Sequence, residues 1–389
     1  MSEDGAVSED GAVSEDGAVS AAGEPVVLVL GTSAGGVGRH VAQLCEGLRG
    51  RGAAVHVAAP AATLERFGFA AVTAPVDIGA SLDPVRDLRA AARLRRALRA
   101  PAVRGAVVHA HGVRAALVAV LAVRSLRPRP GLVVTLHNAV LGAGPRARLG
   151  RAVQDAVCRA ADVVLAVSGD LVEQARAAGA RRVRRALVPA PPLPPGTPVL
   201  PPGEPVVLVV ARLAPQKGLD VLLDAAGLLR HPVRVLVAGG GPLHEALAGR
   251  VAAERLPVQL LGERGDVPDL LASADVAVSA SAWEGQPVFV QEALRAGVPV
   301  VATDAGGTAE VTGDAADLVP VGDAAALAAA VDALLADPVL REERSARARR
   351  RAAGLPGAED ALVQVLTAHA EARRAAGGAR EDGSTSDVG

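Results

Sequence analysis

Two glutamates, Glu284 and Glu292, lie eight positions apart around a proline and a run of apolar residues in SAWEGQPVFVQEALRAG (281–297). Pro287 is well placed to begin a helix that continues through Glu292 and ends at Gly297. Glu284 then precedes the helix, and a rise of about 1.5 Å per residue puts the two carboxylates roughly 8–12 Å apart. Both can accept hydrogen bonds from hydroxyl groups, and the helix N-terminus between them attracts phosphate. This spacing matches the distance between the sugar and the ribose of a nucleotide sugar.

Two basic residues follow the strand-like segment VVLVVAR (206–212) and precede the next helical segment. Arg212 ends the strand, and Lys217 lies beside a glycine in the loop ARLAPQKG. Two cations at a helix start can neutralise both charges of a diphosphate. The plainer interpretation is a pair of solvated basic residues, and in the same way Glu292 can simply pair with Arg295.

A glycine-rich loop, LGTSAGGVGRHVAQL (30–44), follows the first strand-like segment and opens a helix. Its backbone N–H groups form an anion site, which makes Gly35 and Gly36 candidates for contact with phosphate or sugar. The loop is not a P-loop, because no Lys-Ser/Thr pair ends it. It also lacks the dinucleotide fingerprint of NAD-dependent oxidoreductases, because Val41 stands where the third glycine belongs. A tight turn explains the loop equally well, as it does AGGGPLHEAL (238–247).

Short valine-rich apolar segments alternate with stretches of helical periodicity over most of the chain. Unbroken apolar strands indicate a sheet covered on both faces, and alternation of strand and helix indicates parallel pairing. The alternation runs twice, before and after PAPPLPPGTPVLPPGEP (189–205), in which nine of the seventeen residues are proline. That proline density forbids helix and sheet and favours an extended linker. We therefore predict an α/β protein with two doubly wound, Rossmann-like domains that face each other across a ligand-binding cleft.

The predicted boundaries follow these changes of composition. Residues 2–19 are three copies of SEDGAV, a unit that is acidic and too poor in apolar residues to pack. The segments are a disordered acidic tail (1–24), a first domain (25–190), a linker (191–204), a second domain (205–355), a helix that packs back on the first domain (356–376) and a disordered tail (377–389).

Composition narrows the classes of function. The 389 residues are half apolar, enough for two cores. Because residues 1–24 hold seven acidic side chains and no basic ones, the remainder carries about +6, which suits anionic small molecules. One Trp, three Phe and no Tyr cannot build stacking platforms, so we expect no nucleic-acid partner. Cys45 and Cys158 have neither metal nor redox spacing, and the chain shows no export or membrane-spanning segment, so we expect a cytoplasmic protein.

Taken together, these segments resemble the family 4 glycosyltransferases, which are retaining enzymes of the GT-B fold. The resemblance runs from Val26 to about Ala370 and follows the family's order of motifs. The matching segments are the glycine loop, HAHG (109–112), LAVSGDL (165–171), ARLAPQKG (211–218), the E-x7-E stretch (284–292) and DAGGTAE (304–310).

The resemblance implies a role for each residue that matches a family motif. Arg212 and Lys217 would neutralise the donor diphosphate, and Gly35 and Gly36 of the first domain would approach its phosphate and sugar. Glu292 would bind the ribose hydroxyls. The catalytic residues would be Glu284, at the donor sugar, and His111, beside the reacting centre. The donor loop would further include Gly285, Gln286 and Pro287, and the weaker candidates are His109, His137, Arg264, Gly306 and Gly307.

Two departures from the family's pattern bear on the choice of substrate. Gln286 stands where a bulky apolar residue is frequent, and GAVVHAHG (105–112) lacks the acidic residue often found before its strand. Either departure can alter the donor or the acceptor without changing the class of enzyme.

The resemblance implies transfer of a hexosyl-type sugar from a nucleotide-diphosphate sugar, with UDP or GDP as the expected carrier. The acceptor is a hydroxyl of a small molecule, a glycan or a lipid-linked compound. A nucleotide-sugar epimerase of the same fold, with His111, His137 and Glu284 as acid and base, and a non-catalytic nucleotide-sugar-binding protein are the alternatives. No cofactor or metal ion is expected, because cationic side chains replace the metal in this fold. His109, His111 and His137 are the alternative metal ligands, although no carboxylate-rich cluster accompanies them.

A basic helical segment, PVRDLRAAARLRRALRA (84–100), carries six arginines with Val85, Leu88, Leu94 and Leu98 among them. Such a helix can lie on an anionic lipid surface. Its narrow apolar face without aromatic residues favours a surface helix of the first domain. Peripheral contact with the inner face of a membrane stays open, and nothing in the sequence indicates an oligomeric state.

Overall fold

The computed structural model describes residues 24–33, 35–69, 72–201 and 203–378. Nearly all of the predicted acidic tail, including the SEDGAV repeat, and the stretch from residue 379 onward lie outside the described residues. Within the described ranges, no helix combines the length and the apolar character needed to cross a membrane.

Seven parallel strands form the first sheet. The strands are β1 (Pro25–Leu30), β2 (Ala54–Ala59), β3 (Val72–Pro75), β4 (Val107–His111), β5 (Leu132–Leu136), β6 (Val163–Ala166) and β7 (Val183–Arg185). The connecting helices are α1 (Gly36–Gly50), α2 (Ala61–Arg66), α3 (Pro84–Ala97), α4 (Val113–Val123), α5 (Pro145–Ala160) and α6 (Gly169–Ala177). The strand order is β3-β2-β1-β4-β5-β6-β7. Every residue of β4 and β5 is buried, as expected for strands covered on both faces.

Six parallel strands form the second sheet. The strands are β8 (Val206–Val210), β9 (Arg234–Ala238), β10 (Val258–Gly262), β11 (Val276–Ser279), β12 (Val300–Thr303) and β13 (Ala316–Val319). The helices are α7 (Leu219–Leu228), α8 (His244–Glu254), α9 (Val267–Ala272), α10 (Val288–Ala296), α11 (Thr308–Thr312), α12 (Ala324–Ala336) and α13 (Pro338–Ala353). The order is β10-β9-β8-β11-β12-β13. The predicted α/β fold with two doubly wound domains is confirmed.

The last helix, α14 (Ala358–Gly378), returns to the first sheet. It packs against α1 on one side and against β4, β5 and β6 on the other. Leu362 and Leu366 join the apolar cluster around β1 and β2, and Val365 and Ala368 join the cluster around β4 and β5. The core of the first sheet is therefore completed by residues from the far end of the chain.

The strand order of each sheet reverses at one point, between β1 and β4 in the first sheet and between β8 and β11 in the second. Ligands of open parallel sheets bind outside the carboxyl ends of the strands at this point. The glycine-rich loop, ARLAPQKG and SAWEG follow β1, β8 and β11, and HAHG forms the end of β4 with the first residue after it. The topology thus brings the segments predicted to carry chemistry to the two switch points.

The segment that leaves the first domain is held by side chains of α10 and of the loop before it. Val188 N–H donates to Gln286 Oε1 at 2.8 Å, and Ala190 N–H donates to Gln291 Oε1 at 2.9 Å. Arg295 donates to the Ala190 carbonyl at 2.6 Å. Because these bonds satisfy backbone groups that no strand or helix can pair, they fix the path of the chain between the domains.

Candidate active site

Glu284 is held by two side chains at the carboxyl ends of β8 and β11. Lys217 Nζ lies 2.6 Å from Glu284 Oε1, and the Ser281 hydroxyl donates to the same oxygen at 2.7 Å. The side chains of Lys217 and Glu284 are 22% and 14% exposed, so solvent screens this ion pair only in part. Both contacts end on Oε1, which leaves Oε2 for a ligand.

A glycine allows Lys217 to approach Glu284. Lys217 ends a single 3₁₀ turn, Pro215–Lys217, and Gly218 follows with φ of 61° in the left-handed region. A Cβ on Gly218 would lie 1.9 Å from the carbonyl oxygen of Ala280. Only glycine therefore lets the loop after β8 pack directly on the end of β11.

Glu292 lies on α10, the helix predicted from the spacing of the two glutamates. Pro287 is the N-cap residue, one position before the first helical residue, and Gly297 ends the helix with φ of 70°. Burial raises the pKa of the Glu292 carboxyl above its usual value, against the opposing fields of Arg39 and Arg295. Arg39 belongs to α1 of the first domain, so its field reaches Glu292 from across the two domains.

The alternative in which Glu292 pairs with Arg295 is not realised. Arg295 donates to the backbone carbonyls of Ala190 and Pro191 at 2.6 and 2.9 Å. No ion pair of Glu292 occurs among the described residues, with Arg295 or any other cation. Its carboxylate therefore stays available for a ligand.

Gly306 and Gly307 support the loop that carries Glu284. Gly307 N–H donates to the Glu284 carbonyl at 2.8 Å. A Cβ on Gly306 would lie 2.2 Å from that carbonyl oxygen, and one on Gly307 would lie 2.0 Å from the Gly285 carbonyl. A Cβ on Gly285 would in turn lie 2.3 Å from Val167 of the first domain. A side chain at any of these three positions would clash with a neighbouring residue, so the glycines allow the loop that carries Glu284 to pack closely against its surroundings.

Gly35 and Gly36 differ from these glycines, because a Cβ at either position would meet no atom within 4 Å. Gly35 is the N-cap of α1, and the Ser33 hydroxyl accepts a hydrogen bond from Gly38 N–H at 3.1 Å. Gly38 is the packing glycine of this loop, since a Cβ there would strike the Phe67 ring. The open side of the helix N-terminus is suited to an anion.

A cavity of about 730 Å³ lies in the first domain at the carboxyl ends of β1, β4 and β5. His111 and His137 form its polar floor, with His111 Nδ1 3.1 Å from His137 Nε2. His111 Nε2 is buried without a hydrogen-bond partner among the described residues. Burial lowers the pKa of His137 to about 3 and that of His111 well below its usual range. Both rings are therefore neutral at pH 7 and offer one donor and one acceptor each.

His109 lies in the core and is not among the residues that line this cavity. Its Nδ1 lies 3.0 Å from Nε2 of His369 on α14, and its Nε2 lies 2.8 Å from the Thr135 hydroxyl. Both ring nitrogens are thus used inside the core. No group of three or more His, Cys, Asp or Glu side chains in the described ranges has the arrangement of a metal site.

The side chains of Gln286 and Arg264 bond other residues of the protein. The Gln286 amide bonds Val188 N–H at 2.8 Å and the Ala186 carbonyl, so its side chain serves the interdomain segment rather than the donor loop. Arg264 is paired with Asp266, two residues along the same loop. Arg212, by contrast, is exposed at the end of β8 and forms no ion pair with another described residue.

A direct hydrogen bond joins the loop that carries Glu284 to α6, and no motif predicts it. The Trp283 indole N–H donates to Asp170 Oδ2 at 2.9 Å. Glu310 on α11 accepts from Gly169 N–H at 2.7 Å and from Arg185 Nε at 2.7 Å. All of these residues except Arg185 lie inside the motifs LAVSGDL and DAGGTAE or next to Glu284, but spacing along the chain does not reveal that they meet.

Two family models match the chain over complementary ranges. The model described as glycosyl transferases group 1 matches residues 197–351, and the one described as glycosyl transferase 4-like domain matches residues 35–191. The first covers the second sheet and its helices, and the other covers the first sheet after β1. Together they span both described domains.

Curated relatives match over shorter segments. The chain is 38% identical to phosphatidyl-myo-inositol mannosyltransferase of Mycobacterium leprae over 136 residues, 33% of this chain and 36% of that protein. It is 29% identical to alpha-D-kanosaminyltransferase of Streptomyces kanamyceticus over 166 residues, 40% of this chain and 42% of that protein. The matched segments thus span less than half the length of these relatives.

Solved structures match over nearly the whole chain. Sucrose-phosphate synthase of Thermosynechococcus elongatus superposes with a TM-score of 0.76 at 22% identity, covering 90% of this chain and all of that one. Anabaena HepE in complex with UDP and glucose superposes with a TM-score of 0.70 at 20% identity, covering 88% of this chain and 98% of that one. At this level of identity the superposition shows a shared fold.

Proposed function

Because the chain belongs to the family 4 glycosyltransferases of the GT-B fold, we propose that it moves a hexosyl-type sugar from a nucleotide-diphosphate sugar to an acceptor hydroxyl with retention at the anomeric carbon. The observation that carries this proposal is the ion pair between Lys217 and Glu284 at the switch point of the second sheet. This ion pair holds a cation and a carboxylate that can accept hydrogen bonds from hydroxyl groups, close enough for one ligand to contact both.

The second domain binds the donor. Arg212 and Lys217 neutralise the negative charge that develops on the diphosphate as its bond to the anomeric carbon breaks, where fixed charges contribute most. Glu284 accepts hydrogen bonds from the sugar, and Glu292 accepts them from the ribose. Two open glycines at the N-terminus of α1 let its backbone N–H groups approach the phosphates.

The first domain binds the acceptor in the cavity above His111 and His137. The acceptor oxygen forms the new bond to the anomeric carbon and gives up its proton, and the diphosphate leaves with the electron pair of the broken bond and takes up that proton. His111, which lines this cavity, is the residue best placed to bond a sugar or acceptor hydroxyl. Its neutral ring holds that hydroxyl without adding charge to the site.

We further propose that the donor carries UDP or GDP and that no metal ion is required. Support for UDP comes from the HepE structures, which hold UDP or UDP-glucose. Support for GDP comes from the relative in Mycolicibacterium smegmatis that is named as GDP-mannose-dependent, 34% identical over 149 residues. The exposed Arg212 and the Lys217 ammonium supply the positive charge that a metal would bring to the diphosphate.

Calorimetric binding of UDP, GDP, ADP and NAD with EDTA present tests the donor site. We expect one nucleoside diphosphate to bind the wild type and to lose at least about tenfold in affinity in the Arg212→Ala, Lys217→Ala double variant. The matched control is Arg347→Ala, an arginine of α13 that is paired with Glu343. Binding of NAD alone, or a nucleotide affinity that is unchanged in the double variant, would overturn the assignment.

Transfer itself is tested separately from binding. Release of the nucleoside diphosphate should depend on the acceptor, and the product should keep the anomeric configuration of the donor. An epimerase would instead exchange solvent deuterium into the sugar without any acceptor. Such exchange would replace the proposed reaction with the alternative.

A further inference from the structure

Large apolar side chains are exposed mainly beside the cavity of the first domain. Five of the ten that the described residues expose lie in two short segments, 82–88 and 141–149. The five are Leu82, Val85, Leu88, Leu141 and Leu149, with Leu88 62% and Leu149 54% exposed. Single exposed apolar residues are ordinary, but this concentration at one place is not.

The two segments share one face of the first domain. α3 packs against α4, and α4 packs against α5, so α3 and α5 flank α4 in a single layer of helices. Leu82 precedes α3 and Leu149 lies on α5, yet both line the same cavity. Leu82 and Leu149 therefore border the mouth of the proposed acceptor site, and Val85, Leu88 and Leu141 lie in the same two segments. We call this surface, made by residues 82–99 and 139–151, the rim.

The rim is strongly basic. In its first segment Arg89, Arg93, Arg96 and Arg99 are exposed, and Asp87 is buried and bonded to Arg114. The second segment exposes Arg146, Arg148 and Arg151 and contains no acidic residue. Exposed arginines among exposed aliphatic side chains are the composition of surfaces that rest in the interface of anionic bilayers. The apolar face of α3 is narrow by itself, and the second segment widens it.

The side chains that line the cavity are polar at its floor, largely apolar along its wall and basic at the rim. At the floor, His111 and His137 are buried and polar. The wall between is largely apolar, including Leu30, Val113 and Val153, and Arg146 stands at the exposed end. A ligand that fills this space needs a hydroxyl at one end, an apolar middle and an anionic group near the surface.

We propose that the rim docks on an anionic lipid bilayer and that the acceptor is a lipid of that bilayer, with its anionic group at Arg146 and its hydroxyl at His111. This rests on the proposed function, since it names the acceptor class of the same site. Docking brings the mouth of the cavity to the lipid, so the acceptor need not leave the membrane. The donor enters from the water on the side of the second domain.

Sedimentation with lipid vesicles tests the docking without requiring catalysis. The full chain should bind vesicles with about 30% phosphatidylglycerol at least about tenfold more tightly than pure phosphatidylcholine vesicles, and less tightly as salt rises. The triple variant Val85→Ser, Leu88→Ser, Leu149→Ser should lose at least about tenfold in vesicle affinity. A matched control, Val321→Ser with Val339→Ser, changes exposed valines of the second domain and should bind like the wild type.

Two results would overturn the inference. One is equal or absent binding to both kinds of vesicle, and the other is a triple variant that binds like the wild type. Nucleotide binding by the same proteins separates this inference from the proposed function. Vesicle binding lost with nucleotide affinity intact supports the rim, and nucleotide affinity that is absent in the wild type as well refutes the donor site without touching the docking surface.

Discussion

Trp283 and Asp170 lie in different domains and are joined by a hydrogen bond of 2.9 Å from the indole N–H to Oδ2. Asp170 also accepts a hydrogen bond from the Ser168 hydroxyl next to it. The donor loop that carries Glu284 is thus tied to the start of α6, directly beside the predicted diphosphate site. Any change in the angle between the domains must lengthen or break this bond.

Fluorescence should report that change, because Trp283 is the one tryptophan of the chain and is 8% exposed. We expect saturating nucleoside diphosphate to change its emission intensity or wavelength. Asp170→Asn keeps the size of the side chain and weakens the bond, so the free variant should already differ from the free wild type. Identical spectra for the wild type and Asp170→Asn, each with and without the nucleoside diphosphate, would show that the bond does not respond to the ligand.

The ion pair between Lys217 and Glu284 predicts different effects on nucleotide affinity for substitutions of its two members. Glu284→Gln should lower kcat by about a hundredfold or more, because it removes a charge fixed at the reacting sugar. Its affinity for the nucleoside diphosphate should stay within a few fold of wild type, since Lys217 remains. Lys217→Ala should lower both affinity and kcat. Near-normal turnover of Glu284→Gln would remove this residue from the site.

The open glycines at α1 predict a variant with normal stability and impaired donor binding. A methyl group at Gly36 meets no atom of the described residues within 4 Å, and alanine favours helix over glycine by about 1 kcal/mol. Gly36→Ala should therefore keep or raise its unfolding temperature and lose affinity for the nucleoside diphosphate. Gly38→Ala is the contrasting variant, because its methyl group strikes Phe67 and should lower stability. Unchanged nucleotide affinity in Gly36→Ala would show that no ligand approaches there.

Buried histidines predict a loss of stability in mild acid. The core holds His40, His109, His111, His137 and His369, and burial lowers the pKa of each. The unfolded chain binds protons at these groups from about pH 6.5 downward, whereas the folded chain resists until about pH 4 or below, so stability is full above pH 6.5 and falls as pH drops.

The expected slope is about 1.4 kcal/mol per pH unit for each buried histidine that stays neutral in the folded state. Urea unfolding between pH 7 and pH 5 measures it. His40→Asn should reduce the slope by one histidine's share, and His244→Asn, at an exposed position, should leave it unchanged. A free energy of unfolding that does not vary over this range would contradict the neutral core.

Gln286 predicts a structural rather than a catalytic defect. Gln286→Leu introduces the apolar type that is frequent here in the family, yet it leaves the Val188 N–H without its partner. We expect a loss of about 1–3 kcal/mol in the free energy of unfolding. Gln259→Leu, at an exposed position of β10, is the control and should change stability by less than about 0.5 kcal/mol. Equal effects of the two variants would show that the bond to Val188 contributes nothing.

The fold was predictable because its signals are local. Unbroken valine-rich segments predict the alternation of strands and helices in both domains, although not the short strands β3, β7 and β13, and proline density predicts the break between the domains. Strand ends of a parallel sheet meet at one edge, so Arg212, Lys217 and Glu284 could be expected near one another before any coordinate was known. The helix through Glu292 was predicted from its terminal Pro287 and Gly297, with an error of one residue at the start.

What sequence reasoning missed depends on partners far along the chain. His109 was grouped with the site because it lies two residues from His111, but His369, 260 positions later, takes its ring into the core. Gln286 was grouped with the donor loop because of its neighbours, but its partner Val188 lies 98 positions earlier. Tertiary contacts of this kind follow from packing, and no spacing rule describes them.

Because α14 completes the core of the first sheet, that core cannot close while the ribosome is still making the second domain. At roughly 5–20 residues per second, the first seven strands wait on the order of ten seconds or more for Leu362, Leu366 and their neighbours to be synthesised. The order of synthesis therefore runs against the order of assembly, and the apolar surface of the first sheet that α14 covers stays uncovered until α14 has been made.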